Sequence, residues 1–288
     1  MTTFKDVKVS TFKPFSLNLN GRLWKAGQPV IVGILNASKV SFYSGQSSVN
    51  EAMAQAESLI NDGADWLDVG ACSTRPGAEI PSIDEAWSRL NDLLPAMRKT
   101  FPSIPMSIDS FRPEIVRRAH EEGVDMINDI SGGCDTMFQL AADRQMPYIL
   151  SHFPEGKTPS DMQDGSLPSR DAILPLVMKH FTKQLVALQA AGVKDVMLDP
   201  GFGFGKDNAG NFGLLEGLPL LAELQLPLYV GLSRKSMLWK NLGGQPKDML
   251  AATSAIHAVA LQRGASILRV HDPKEAKQVV TLLSLLAD

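Results

Sequence analysis

"PVIVGILN", residues 29–36, is apolar at almost every position and then stops on an amide, Asn36. A strand with one wet face alternates apolar and polar residues, whereas a strand covered on both faces does not. The run is too short for a typical helix and rich in β-branched side chains, so it reads as a doubly buried strand. Seven runs of the same kind follow: "DWLDVG" (65–70), "IPMSID" (104–109), "VDMIND" (124–129), "MPYILSH" (146–152), "DVMLD" (195–199), "LPLYVGLS" (226–233) and "SILRVHD" (266–272). Each is followed by a helical pattern, from "NEAMAQAESLINDGA" (50–64) and "SIDEAWSRLNDLLPAMRKTF" (82–101) to "GNFGLLEGLPLLAEL" (210–224), "DMLAATSAIHAVALQRG" (248–264) and "PKEAKQVVTLLSLLAD" (273–288). Several helices close on glycine: Gly63, Gly123, Gly192 and Gly264. Eight strand–helix units predict an α/β protein, a (β/α)8 barrel. A doubly wound open sheet is the alternative; the count of eight and the polar residues closing nearly every run favour the barrel.

Residues 1–28 contain "LNLNGRLW", where Asn20-Gly21 is a hairpin turn signal. This segment reads as a β-hairpin capping the N-terminal mouth of the barrel, so that residues 1–288 form one domain. The stretch "FPEGKTPSDMQDGSLPSRD" after the fifth strand reads as a surface loop. Of the 288 residues 44% are hydrophobic, ample for one large core. A formal net charge of −3 and a pI near 6.0 argue against nucleic acid as a partner. The N-terminal residues lack the apolar segment of a signal peptide, and apolar stretches are interrupted before the roughly 18 residues of a membrane span. Cys72 and Cys134 stand in separate segments, forming neither a disulfide framework nor a zinc pattern. The expectation is a soluble cytoplasmic protein with no membrane partner.

Barrel chemistry sits at the C-terminal ends of the strands. Those ends carry Asn36, Asp68, Asp109, Asn128, His152, Asp199, Ser233, and Arg269 with His271. One Asp or Asn after a strand is usually a turn former or cap, but capping alone does not make all eight ends polar. Asp109, Asn128 and Asp199 suit a flat heterocycle that presents N–H donors. Arg75, Lys235, Arg269 and His271 come from strands 2, 7 and 8 or their loops, and barrels hold phosphate after strands 7 and 8. The residues thus point to a nitrogen-rich ring at the centre and an anionic group at its edge. "DPGFGFGK" (199–206) is not a phosphate-binding P-loop, because Asp207 follows Lys206; its glycines read either as letting the backbone run close to a ligand or as a plain turn.

In order along the chain, "GILN" (33–36), "STRPGA" (73–78), "SIDS" (107–110), "INDISGG" (127–133), "LDPGFGFGK" (198–206), "GLSRKS" (231–236) and "RVHD" (269–272) resemble the dihydropteroate synthase family. The resemblance implies a TIM barrel. It implies a transferase of folate biosynthesis, a sulfonamide target, that condenses 6-hydroxymethyl-7,8-dihydropterin pyrophosphate with p-aminobenzoate to give dihydropteroate and pyrophosphate. It places Asp109, Asn128, Asp199 and Lys235 at the pterin ring. Asn36, Arg269 and His271 fall on the pyrophosphate side, with Asn36 as a ligand of Mg2+. Thr74, Arg75 and Pro76 fall in a second loop that closes over p-aminobenzoate and the leaving group, and Phe204 and Ser233 lie around p-aminobenzoate. Its carboxylate is expected near the start of the helix after strand 7. Asp109 and Asp199 serve the positive charge that builds on the pterin, Lys235 is implied as a further catalytic residue at the ring, and Arg75, Arg269, His271 and Mg2+ serve the leaving group. A homodimer is implied too.

The first loop departs from the family. Where relatives read Asn-x-Thr-Pro-Asp-Ser-Phe, this chain has "NASKVSF", with Lys39 for the proline and Val40 for the acid; Ser44 replaces a second acid. The expectation is retained but slower synthase activity. The alternatives are a pterin-binding paralogue with reduced or no synthase activity, or a pterin-dependent methyltransferase; the latter has no use for "STRPGA", "SRKS" and "RVHD" together.

Overall fold

The computed structural model describes residues 12–37, 45–71, 80–154 and 168–286. β1 (Phe15–Leu19) and β2 (Arg22–Ala26) form an antiparallel hairpin. Asn20 (φ 50°) and Gly21 (φ 82°) make its turn, the paired left-handed conformation that Asn-Gly adopts readily. Eight parallel strands then close on themselves: β3 (Val30–Asn36), β4 (Trp66–Gly70), β5 (Met106–Asp109), β6 (Met126–Asp129), β7 (Tyr148–Ser151), β8 (Val196–Asp199), β9 (Leu228–Val230) and β10 (Ala265–Val270), with β10 paired to β3. The fold is the expected (β/α)8 barrel with an N-terminal hairpin.

The helices are α1 (Gly45–Asn61), α2 (Ile83–Ser88), α3 (Leu93–Thr100), α4 (Pro113–Glu121), α5 (Asp135–Asp143), α6 (Arg170–Ala191), α7 (Asn208–Glu216), α8 (Leu218–Leu221), α9 (Ser236–Leu242), α10 (Leu250–Gln262) and α11 (Pro273–Leu285). The four glycines expected to close helices all have positive φ. Two expected helices are corrected and one short helix is added. The single helix over 82–101 is two: the Asn91 side chain accepts from the Asp92 N–H at 2.9 Å, and Pro95 supplies no N–H to carry a helix through the break. The helix over 210–224 divides at Gly217, after which Pro219 starts a new turn. The seven-residue α9, ahead of α10, is too short to announce itself by periodicity.

Two apolar layers hold the barrel. Outward residues such as Ile31, Leu67, Ile108, Ile127, Leu198 and Leu268 pack under the helices. Inward residues Val30, Val32, Trp66, Met126, Ile149, Met197, Tyr229 and Ile267 fill the lower interior, and Leu17, Leu19 and Ala26 of the hairpin seal it from below. The hairpin is fastened by Asn18 N–H to Asp195 (3.0 Å) and Asn20 Nδ2 to Asp125 (3.0 Å), both at strand entrances. Burying leucines of this kind stabilises by about 1.5–3 kcal/mol each.

Candidate active site

Side chains two apart on a strand share a face, and here that rule lifts the interior from apolar to polar. Trp66 is followed inward by Asp68, Met126 by Asn128, Ile149 by Ser151, Met197 by Asp199 and Ile267 by Arg269. The lower layer is core and the upper layer is the site. Asp68 is fully buried. It accepts from Ser107 Oγ (2.5 Å), Asn128 Nδ2 (2.9 Å) and Arg269 Nε (2.6 Å). Arg269 Nη2 reaches on to Asp109 Oδ2 at 2.8 Å. One guanidinium therefore bridges two carboxylates, the fork geometry for which arginine suits charged partners.

The network leaves acceptors open. Asp109 Oδ1 and Asn128 Oδ1 are buried and receive no hydrogen bond from the described residues. Leaving such a group unpaired costs about 1–3 kcal/mol, which a ligand rich in N–H donors recovers. Burial pushes the Asp109 carboxyl up to about 7, against the pull of Arg269. Burial also raises Asp199, opposed by the Gly201 N–H (2.8 Å) and by Lys235, Arg269 and Lys206. Burial resists the charge on Arg269, but Asp68 and Asp109 outweigh it and hold the guanidinium ionised.

Beside the acids, Lys235 Nζ donates to Phe202 O (2.5 Å) and stands 4.3 Å over the Phe204 ring, a cation–π contact. Burial draws Lys235 down to about 8, with Asp199 opposing. At the next edge, His271 Nδ1 lies 3.0 Å from Ser233 Oγ. Arg234 (φ 57°) pairs through two nitrogens with Asp272, Nε at 2.9 Å and Nη2 at 2.5 Å. That pair ties the β9 and β10 loops together and sets Ser233, Lys235 and His271 side by side.

The structure brings Asp109, Asn128, Asp199, Phe204, Ser233, Lys235, Arg269 and His271 to one mouth, with Asn36 at the end of β3. Thr74, Arg75 and Pro76, Cys72, and Lys39, Val40 and Ser44 lie outside the described residues. Two further contacts bear on the site residues. Arg269, assigned to the pyrophosphate side by the resemblance, has Nε on Asp68 and Nη2 on Asp109. Of the two readings of "DPGFGFGK", close packing within the protein accounts for two glycines: a Cβ on Gly201 meets His152 O at 2.1 Å, and one on Gly205 meets Pro154 Cγ at 2.1 Å. Sequence reasoning noted Asp68 as one strand end among eight but gave it no role. Its signal was the two-residue step from Trp66, which puts it on the inner face.

Residues 32–271 match the family described as pterin binding enzyme. The dihydropteroate synthase of Escherichia coli (strain K12) is 35% identical over 260 residues, covering 88% of this chain and 90% of that protein. The solved structure of Xanthomonas albilineans dihydropteroate synthase with 4-aminobenzoic acid has a TM-score of 0.84 at 33% identity, covering 94% of this chain and 97% of that one. The same enzyme in complex with 7,8-dihydropteroate has a TM-score of 0.80 at 30% identity, covering 94% and 98%. With the barrel, the acid and amide cluster and these likenesses in agreement, the chain belongs to the pterin-binding enzymes and, among them, to the dihydropteroate synthases.

Proposed function

We propose that the protein condenses 6-hydroxymethyl-7,8-dihydropterin pyrophosphate with p-aminobenzoate, giving 7,8-dihydropteroate and pyrophosphate. The observation that carries this reading is the pair of open buried acceptors, Asp109 Oδ1 and Asn128 Oδ1, in a mouth that also holds Asp199. A pterin edge presents N–H donors to such a set. Loss of pyrophosphate builds positive charge on the pterin, which the carboxylates of Asp109 and Asp199 stabilise without reorganising. Lys235 holds the Phe204 wall of the mouth and adds a donor beside the ring. His271 and Ser233 stand where the diphosphate and the incoming aromatic amine meet, and Arg75 is assigned to the leaving group through the family resemblance. The amine attacks the methylene carbon directly, so no protein nucleophile is required.

Mg2+ belongs to the proposal as a partner of the diphosphate. Among the described residues no group of three or more His, Cys, Asp or Glu could hold an ion by itself. That donor set fits an ion held mostly by substrate phosphates and water, with one or two protein oxygens; the Asn36 amide oxygen is the candidate. When bound, Mg2+ neutralises charge on the leaving group. The proposal includes a homodimer acting in the cytoplasm. Exposed Leu282, Leu285 and Leu286 along and just after α11 support a covered face there, and sedimentation at varied protein concentration checks it.

Pyrophosphate release from the pterin ester, with and without p-aminobenzoate, tests the reaction. Release that depends on p-aminobenzoate is the expected result. Pterin binding with no release above a no-enzyme control assigns the chain instead to the binding-only reading, which the substitutions Lys39 and Val40 favour.

A further inference from the structure

The mechanism leaves one buried cation unused. Lys206, at the end of the loop after β8, is only 6% exposed. Its Nζ donates to Gly201 O (2.7 Å) and Phe204 O (2.9 Å), and lies 3.0 Å from His152 Nδ1. All three partners are neutral acceptors, so the ammonium has its full set of hydrogen bonds and no carboxylate bonded to it. A buried charge is costly unless something compensates it; here the compensating anion is Asp199, whose field favours the charged lysine.

The loop runs between this lysine and the site. Gly201, whose carbonyl Lys206 holds, gives its N–H to Asp199 Oδ1 at 2.8 Å. Phe204, whose carbonyl it also holds, carries the ring under Lys235. Asn211 Oδ1 accepts from Gly203 N–H at 2.7 Å and completes the fastening.

We propose that Lys206 is a positioning residue of the pterin site: its buried ammonium ties the loop after β8 to the end of β7 and holds the Asp199 carboxylate aimed into the mouth. The inference rests on the pterin reading given above. Among the described residues, the titratable groups facing Lys206 are Asp199 from β8, His152 after β7 with His180 of α6 edge-on behind it at 5.1 Å, and Lys235 ahead of α9. His152 is pulled down to about 2 by burial, then by the Lys206 charge, and so stays a neutral acceptor. Burial lowers Lys206 itself to about 7.

Calorimetric titration with pterin-6-carboxylic acid from about pH 5 to 8 tests the proposal on wild type, Lys206→Met and Lys206→Arg. Pterin N–H groups bind the ionised Asp199, so wild-type affinity falls on the acid side as that carboxylate takes up a proton. Removing the Lys206 charge makes Asp199 easier to protonate, so in Lys206→Met the fall moves to higher pH than in wild type. Lys206→Arg keeps the charge and leaves the fall where it is in wild type. Asp109, pushed up to about 7, adds its own pH dependence but is paired with Arg269, so its share stays in place in all three. If Lys206→Met fails to fold, Lys206→Gln, whose amide can still donate to both carbonyls, serves as the neutral variant. Binding that weakens equally at every pH, or does not change, overturns the proposal while the pterin reading stands. A wild-type protein that binds no pterin at any pH overturns both.

Discussion

Asp68 gathers three donors into one buried carboxylate, and Arg269 depends on it. Asp68→Ala strips Arg269 Nε and Asn128 Nδ2 of their acceptor at once. Breaking a buried pair from one side costs about 3–5 kcal/mol, so urea denaturation at neutral pH is expected to show a loss of that order, together with weaker pterin binding. Asp109 behaves in the opposite sense. Its pKa rises from 3.8 to about 7 on folding, burial being the main cause. Between those values the unfolded chain has released the proton and the folded chain keeps it, so this group lowers stability as pH rises through the window. Asp109→Asn is therefore expected to gain stability relative to wild type as pH rises from about 4 to 7, to level off above 7, and to bind pterin less tightly. Paired denaturation curves at several pH values check the sign; a difference that shrinks over the window contradicts it.

Among elements, the loop after β8 is shaped by close approach. Gly201 has φ 71°, and a Cβ there meets the His152 carbonyl at 2.1 Å. Gly201→Ala thus combines a left-handed backbone with overpacking, which together cost roughly 2–4 kcal/mol. The strain displaces the N–H that holds Asp199, so pterin affinity falls as well; an alanine variant with wild-type affinity removes the loop from the site. The loop after β3 carries its own prediction from sequence. The family resemblance leads one to expect a proline and an acid at positions 39 and 40, where this chain has Lys39 and Val40. The double variant Lys39→Pro with Val40→Asp is expected to speed p-aminobenzoate-dependent pyrophosphate release, by up to about 10²-fold if one preorganised contact is restored. Single-turnover measurements show whether the gain lies in the chemical step.

Across the whole molecule, the barrel separates stability from chemistry along its axis. Its lower interior is sealed by Leu17, Leu19 and Ala26 against Trp66, Met197 and Tyr229, and its upper interior holds the polar network. Leu19→Ala opens a cavity at the sealed end, at a cost of about 2–5 kcal/mol. Pterin affinity of the folded variant is expected to stay at the wild-type value, because no hairpin side chain reaches the upper layer. A matched loss of affinity in calorimetry would show that the two ends are coupled.

The eight strands were legible in the sequence because a strand buried on both faces must be apolar along its length, and the hairpin because Asn20-Gly21 has few other uses between two such runs. The polar strand ends were legible too, since nothing in a core asks for Asp109, Asn128 or Asp199 at those positions. The helix breaks at 89–92 and Gly217 were not, because each depends on a local competition that apolar spacing does not register. The roles of Asp68, Arg269 and Lys206 were decided by tertiary structure alone. Asp68 and Arg269 stand 201 positions apart and Lys206 and His152 stand 54 apart. Only the closed barrel, which lays β10 beside β3 and β7 beside β8, brings these groups within hydrogen-bond distance in a low-dielectric interior.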